Sequence, residues 1–251
     1  MTAPKPMRLD QALVERGLAP SRSRAQELIK LGHVSISGQT ATKASVRVDP
    51  QADFSISDDA HDYVSRAALK LAGALDAFPV DPAGKVALDL GSSTGGFTEV
   101  LLRHGAAKVY SVDVGRDQLH PSLRNRPEVV SLEGTHAKDL TRELIQEPID
   151  ILVCDVSFIS ILKALPPVAA LMRKGGDMIT LTKPQFELGK DAIGKNGRVL
   201  PSPEEQEGFI RETILPEIAS WGFTIHELIN SPILGGEGTK EFLLHATKTT
   251  D

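Results

Sequence analysis

Three charged residues in this chain directly follow short apolar runs, the places where an open α/β sheet presents side chains to a ligand. Asp113 closes a run through Val109, Tyr110 and Val112, Asp155 follows IDILVC (149–154), and Lys183 follows Met178 to Thr182. Beside them stands a glycine-rich stretch, G-S-S-T-G-G at 91–96, entered from the apolar run Val86 to Leu90. Its glycines let backbone approach a ligand with no Cβ in the way. The spacing matches neither the dinucleotide fingerprint nor the G-x-x-x-x-G-K-[ST] phosphate loop. Such a turn either holds a nucleoside-containing cofactor or only shapes the fold. Asp113, 22 residues beyond Gly91, stands where an acid accepts hydrogen bonds from ribose hydroxyls. An ordinary surface carboxylate is the alternative. A lysine after a buried strand is a candidate base.

The elements that must carry these groups can be read from periodicity. Val86–Leu90 is a buried strand, and Val100, Leu101 and Leu102 lie at the start of the helix after it. Val129 to Leu132 is a third strand, and GTHAKDL (134–140) beyond it is a place that could hold an adenine, with His136 either packing there or, as a lone loop histidine, without function. Helices are expected over 162–172 and within 204–221. The final strands, 223–229 and 241–246, are joined by the glycine-rich NSPILGGEGTK as a hairpin. Ahead of the first strand, YVSRAALKLAGAL (63–75) is a helix with its apolar stripe on Val64, Ala68, Leu71, Ala72 and Leu75. Arg66, Lys70 and Gly73 share another face. Taken alone, Lys70 beside that stripe would extend to solvent. The fold class is therefore α/β: a doubly wound, mainly parallel sheet with a terminal antiparallel hairpin, the order that separates methyltransferase-type sheets from dinucleotide folds.

Apolar content of 41% and charged content of 24% are ordinary for a globular chain, and no window is apolar enough to span a bilayer. The single cysteine, Cys154, excludes a disulfide framework, and no His/Cys/carboxylate cluster has metal-ligand spacing. With no hydrophobic signal core, a cytoplasmic protein is expected. The net charge of −5 is unevenly spread: residues 1–50 hold eight Lys/Arg against four acids. Two short helices, around Leu9–Leu13 and Ala25–Ile29, precede alternating segments at Val34–Ile36 and Val46–Val48. This is a small basic α+β module of residues 1–60 ahead of a larger domain, 61–251. A basic module on an acidic body points to a polyanion partner.

The segment RLDQALVERGLAPSRSRAQELIKLGHVSISGQTATK resembles the S4 RNA-binding domain. That resemblance implies phosphate contacts from Arg8, Ser21, Arg22, Arg24, Lys30 and Lys43. From about residue 61 onward the chain resembles the FtsJ-like ribose 2′-O-methyltransferases, carried by SRAALKL, LDLGSSTGGFT, DVG, CDVSFIS, LTKPQFE and KEFLLHA. With the S4 segment in front, the whole is similar to the TlyA family of hemolysin A-like rRNA methyltransferases. The resemblance implies S-adenosylmethionine as cofactor and a Lys-Asp-Lys-Glu tetrad at Lys70, Asp155, Lys183 and Glu241. It places the cofactor's amino-acid end around Gly91, Ser92, Ser93, Thr94, Gly95, Gly96 and Phe97, its ribose on Asp113 and its adenine near His136, with Asp155 also near its amine. The implied partner is ribosomal RNA or a ribosomal subunit, methylated on cytidine ribose. The 23S molecule is favoured by the short tails of this sequence, with 16S the other target. Arg66 and the cations Lys190, Lys195 and Arg198 of the loop 187–199 are candidate RNA contacts. Lys183 as base must be partly neutral. Burial beside Lys70 favours that form, and tight pairing to a carboxylate opposes it.

Four rivals remain. Amine methylation uses an N/D-P-P-Y/F motif, where this chain has Asp155-Val156-Ser157-Phe158. Carbon-5 methylation needs a cysteine nucleophile, for which only Cys154 is present. A non-catalytic rRNA-binding or ribosome-assembly protein would keep the S4 segment and tolerate loss of Lys183. A hemolysin is suggested by the family's label alone, with no amphipathic or spanning segment behind it.

Overall fold

The computed structural model describes residues 6–19, 21–30, 32–57, 63–194, 199–235 and 238–250. The chain divides into two compact units, Met1–Asp62 and Tyr63–Asp251. In the first, Met7–Arg8 (β1) pairs antiparallel with Arg47–Val48 (β4), and Val34–Ile36 (β2) lies between Gln39–Thr40 (β3) and Phe54–Ile56 (β5). Leu9–Glu15 (α1) and Arg22–Lys30 (α2) pack on each other through Leu9, Leu13, Ala25, Leu28 and Ile29. The Ser21 hydroxyl accepts the Arg24 amide at 3.2 Å and so caps α2. Gly32, at φ +79°, ends that helix in the left-handed conformation that the sequence suggested.

The second unit is built on a seven-stranded sheet. Its strands are Val86–Leu90 (β6), Lys108–Asp113 (β7), Val129–Glu133 (β8), Ile149–Cys154 (β9), Met172–Thr182 (β10), Phe223–Asn230 (β11) and Phe242–Lys248 (β12). Their order is β11-β12-β10-β9-β6-β7-β8. The five strands from β10 to β8 pair in parallel, and β12 is antiparallel to both its neighbours. This is the doubly wound sheet with a terminal hairpin. Buried apolar side chains cover both faces.

Three element boundaries differ from the sequence reading. The helix expected over 63–75 is Ala68–Ala77 (α3). Its first residues are drawn off, because the Val64 amide bonds the Glu99 carboxylate at 2.6 Å. The helix after the glycine turn begins at Gly96 and runs to Arg103 (α4), not at Val100. The helix expected over 162–172 stops at Ala169. Met172 opens β10 instead, joined to the rest of that strand through an irregularity before Asp177.

Candidate active site

The site forms where β6, β9 and β10 end side by side. Gly91 leaves β6 at φ +84°, and its amide donates to Val112 O at 2.8 Å. A Cβ there would stand 2.8 Å from Asp155 O, so the close approach of the turn to the end of β9 requires glycine. A Cβ on Gly96 would stand 2.9 Å from Ala68 N, which ties the start of α4 to the start of α3. Lys70, in the first turn of α3, is thereby brought to the sheet edge.

Four side chains meet there. Lys70 Nζ lies 2.7 Å from Glu241 Oε2 and 3.3 Å from Asp155 Oδ2. Lys183 Nζ lies 2.6 Å from Asp155 Oδ1 and donates to Ser157 Oγ at 2.8 Å. Lys70, Lys183 and Glu241 are each less than a tenth exposed. Lys70 therefore does not extend to solvent as its position beside an apolar stripe suggested. Two carboxylates at its tip hold the ammonium inside, where an unpaired cation would be costly.

A cavity of about 630 Å³ opens on these groups and is lined also by Ser65, Ser92, Phe97, Phe158, Gln185 and Thr239. A second, about 390 Å³, shares Gly91, Ser93, Asp155, Ser157 and Phe158 with it. Its walls are largely apolar, from Leu90, Val112, Val114, Ala137, Val156 and Ala164, with Asp113 and His136 at its border. The Asp113 carboxylate accepts the Ser93 amide at 2.8 Å and the Gly115 amide at 2.7 Å. Each of its oxygens keeps a lone pair for a further donor. Ser92 Oγ is buried at the first cavity without a hydrogen-bond partner. Thr94 and Gly95 are not among the lining residues of either cavity. A Cβ at Gly95 would run into Leu119 and Leu123, so that glycine serves packing.

An adenosyl group with a charged amino-acid tail fits this pair of cavities. The apolar second chamber suits a purine and the Asp113 carboxylate a ribose diol. The unpartnered Ser92 hydroxyl, beside the acids, suits a polar tail.

Of the candidate RNA contacts in this unit, Arg66 spends one guanidinium N–H on Leu234 O. Lys190 stands in a short 3-10 turn, Lys190–Ala192, while Lys195 and Arg198 lie outside the described residues. In the first unit Lys30 and Lys43 are exposed, Arg24 pairs with Glu27 at 2.9 Å, and Arg8 and Arg22 both bond Asp10.

Sequence reasoning missed Ser157 and Phe158. The Phe158 ring is 91% exposed at φ +66°, uncommon for a bulky residue, and stands 5.3 Å from the Phe186 ring. An aromatic just past a strand end, inside CDVSFIS, was the signal available. Cys154, by contrast, is fully buried in β9, and burial pushes its thiol up to about 12. It faces neither cavity. Among the described residues no group of three or more His, Cys, Asp or Glu is placed to hold a metal ion, and no helix is long and apolar enough to cross a membrane.

The FtsJ-like methyltransferase family profile matches residues 63–248, and the S4 domain profile matches 7–53. The chain is 43% identical over 245 residues to the 16S/23S rRNA (cytidine-2′-O)-methyltransferase TlyA of Mycobacterium tuberculosis, covering 97% of this chain and 91% of the relative. It is 34% identical to the 23S rRNA (cytidine-2′-O)-methyltransferase TlyA of Campylobacter jejuni, covering 96% and 100%. A solved structure from Streptococcus thermophilus that carries a hemolysin name superposes with a TM-score of 0.77 at 34% identity, covering 100% of this chain and 90% of that one. The chain belongs to the FtsJ-like methyltransferases, in the TlyA group that bears an S4 domain in front.

Proposed function

We propose that this enzyme transfers the methyl group of S-adenosylmethionine to the ribose 2′-hydroxyl of a cytidine in bacterial ribosomal RNA, in the cytoplasm. The observation that carries the reading is a chain of close polar contacts, Glu241–Lys70–Asp155–Lys183–Ser157, at the mouth of the glycine turn. The cofactor supplies a cationic sulfonium whose methyl carbon is the electrophile.

A ribose hydroxyl is a weak nucleophile at neutral pH, so the protein must orient it and take its proton. Lys183 Nζ has one N–H directed to Asp155 and another to Ser157. Its remaining direction is free for the 2′-hydroxyl. With Lys183 neutral, Lys70 stands against two carboxylates, and the cluster carries one net negative charge. That charge attracts a cationic donor and neutralises the ammonium formed when Lys183 takes the proton. As the oxygen accepts the methyl group that a bound cofactor would supply, its proton would pass to Lys183 Nζ. Lys70 holds Asp155 and Glu241 in register. The exposed Phe158 ring offers a flat apolar face beside the first cavity, suited to a nucleobase. The first unit contributes phosphate contacts, a backbone and shape reading of RNA.

Carbon-5 chemistry through Cys154 is disfavoured, since a fully buried thiol facing neither cavity cannot reach a base. The deciding experiment maps 2′-O-methyl groups on 23S and 16S rRNA from cells with and without the gene. It is repeated with cells carrying Lys183→Ala. A cytidine mark that depends on the gene and vanishes in the variant, while the purified variant still binds cofactor, is the expected result. A mark that survives Lys183→Ala removes the base role, and no gene-dependent mark removes the reaction. The same map separates a 23S enzyme from one that also modifies 16S.

A further inference from the structure

Asp10 is the one acid of the first unit whose side chain is fully buried among the described residues, although the module around it is basic. Arg8 Nε donates to its Oδ1 at 2.9 Å and Arg8 Nη2 to Oδ2 at 3.0 Å. Arg22 Nη2 reaches Oδ2 at 3.1 Å, and Gln26 Nε2 reaches the same oxygen at 2.6 Å. Four donors on one carboxylate hold its pKa well below the usual range, so it stays ionised throughout the neutral region.

Satisfying one buried carboxylate takes one bidentate arginine and the Gln26 amide. The second arginine makes the cluster a net cation. Both guanidiniums also keep an outer edge in water: their side chains are 39% and 51% exposed. Among the described residues, Arg8 Nη1 and Arg22 Nε and Nη1 make no hydrogen bond to the protein. Two outward-facing forks, from the start of α1 and the start of α2, are thus pinned to one oxygen. A fork of this kind matches the oxygens of a phosphodiester.

We infer that Asp10 is a positioning residue which presets Arg8 and Arg22 as a two-guanidinium clamp for one phosphate of the RNA backbone. The inference rests on the reading of the first unit as RNA-binding. An arginine free in solution loses rotamer entropy when fixed, and the buried carboxylate moves part of that cost from binding to folding.

Charge and positioning predict opposite signs for Asp10→Asn. Removing an anion beside an RNA site strengthens binding if only charge matters. It weakens binding if the carboxylate aims the arginines. The test titrates the full chain against a structured transcript of 23S rRNA at several KCl concentrations, with far-UV circular dichroism as the check on folding. Asp10→Asn should weaken binding about tenfold, or about 1.4 kcal/mol, because two side chains must then be ordered on binding. Arg8→Ala and Arg22→Ala should each lower the salt slope by about one. Gln26→Ala is the second variant, because it removes the 2.6 Å bond to Oδ2 while changing no charge and touching neither arginine. It should weaken binding a few-fold at an unchanged salt slope. Binding by Asp10→Asn as tight as wild type or tighter, or no effect of Gln26→Ala, overturns the clamp while leaving RNA binding intact. If instead Arg8→Ala and Arg22→Ala bind as wild type does, the RNA reading of this unit fails, and the clamp with it.

Discussion

Asp89 gives a pH test of the sheet on which the site is built. It lies in the middle of β6, fully buried. Its Oδ2 accepts from Thr98 Oγ1 at 2.7 Å, and Thr98 in turn is 2.7 Å from Ser111 Oγ. Oδ1 has no hydrogen-bond partner. Burial pushes the carboxyl up to about 7 against the Thr98 bonds, and the charges of Asp155 and Asp113 add to the rise. Between an unfolded value near 3.9 and this folded value, the native state therefore holds a proton that the unfolded chain has released. Stability must fall as pH rises through that window and then level off above it. From pH 5 to pH 8 the loss from this one group is roughly 2–3 kcal/mol, at about 1.4 kcal/mol per unit. Asp89→Asn keeps the shape and an acceptor for Thr98 but cannot ionise. Any packing penalty it brings is independent of pH. Urea unfolding followed by fluorescence of Trp221, the single tryptophan, reports on the second unit alone. The variant should gain roughly 2–3 kcal/mol on its parent between pH 5 and pH 8, whatever its offset. A difference between the two proteins that does not change with pH, or that changes with the opposite sign, refutes the reasoning.

Gly91→Ala should lower stability by at least about 1 kcal/mol, the cost of a left-handed residue with a Cβ. It should lower methyl transfer further, because the new methyl meets the Asp155 carbonyl; urea midpoint and transfer rate at saturating cofactor, measured together, check this. Cys154→Ala should keep methyl transfer and lose about 1 kcal/mol of stability to a small cavity. A folded Cys154→Ala protein that transfers no methyl would restore the thiol as a nucleophile.

The strand–turn–helix at 86–103 was legible because an apolar run meets glycines where the chain must reverse, and both signals are local. The ends of β7, β9 and β10, with Asp113, Asp155 and Lys183, were legible for the same reason. Pairing of β12 with β11 followed from the glycine-rich connection, whereas its place against β10 did not. What failed was set by contacts distant in sequence. Val64 fits a helical stripe, yet its amide is claimed by Glu99, 35 residues on. Met172 reads as the end of a helix, but it pairs with Ile149 in the sheet. By periodicity alone Lys70 reads as a solvent lysine; the family resemblance put it with Asp155 and Glu241, the two carboxylates the fold sets at its tip. Asp10 entered the sequence reading as one acid among four, since charge counting carries no information on burial. Ser157 and Phe158 follow a strand end, and which way such residues face depends on backbone that periodicity does not describe.

Two ammoniums and two carboxylates do not find one another by attraction alone, since exposed ion pairs are worth about 0–1 kcal/mol. The backbone must first bring four distant segments within reach, and here close approaches at glycine do so. Gly91 admits the end of β9, and Gly96 admits the start of α3. A Cβ at Gly73 of α3 would stand 2.8 Å from the Pro232 ring, so α3 also lies tight against the connection between β11 and β12. A Cβ at Gly235 in that connection would overlap the Glu241 carboxylate itself. These contacts set the glycine turn against the strand end that carries Asp155, the start of α3 that carries Lys70, and the connection that leads to Glu241, and each has a backbone or ring atom or the Glu241 carboxylate where a methyl would go, while pairing of β10 with β9 brings Lys183. The charges are therefore placed by main-chain packing and then buried. Placement of that kind explains why the cluster can hold Lys183 between Asp155 and Ser157 with a direction left open, instead of collapsing into two closed ion pairs.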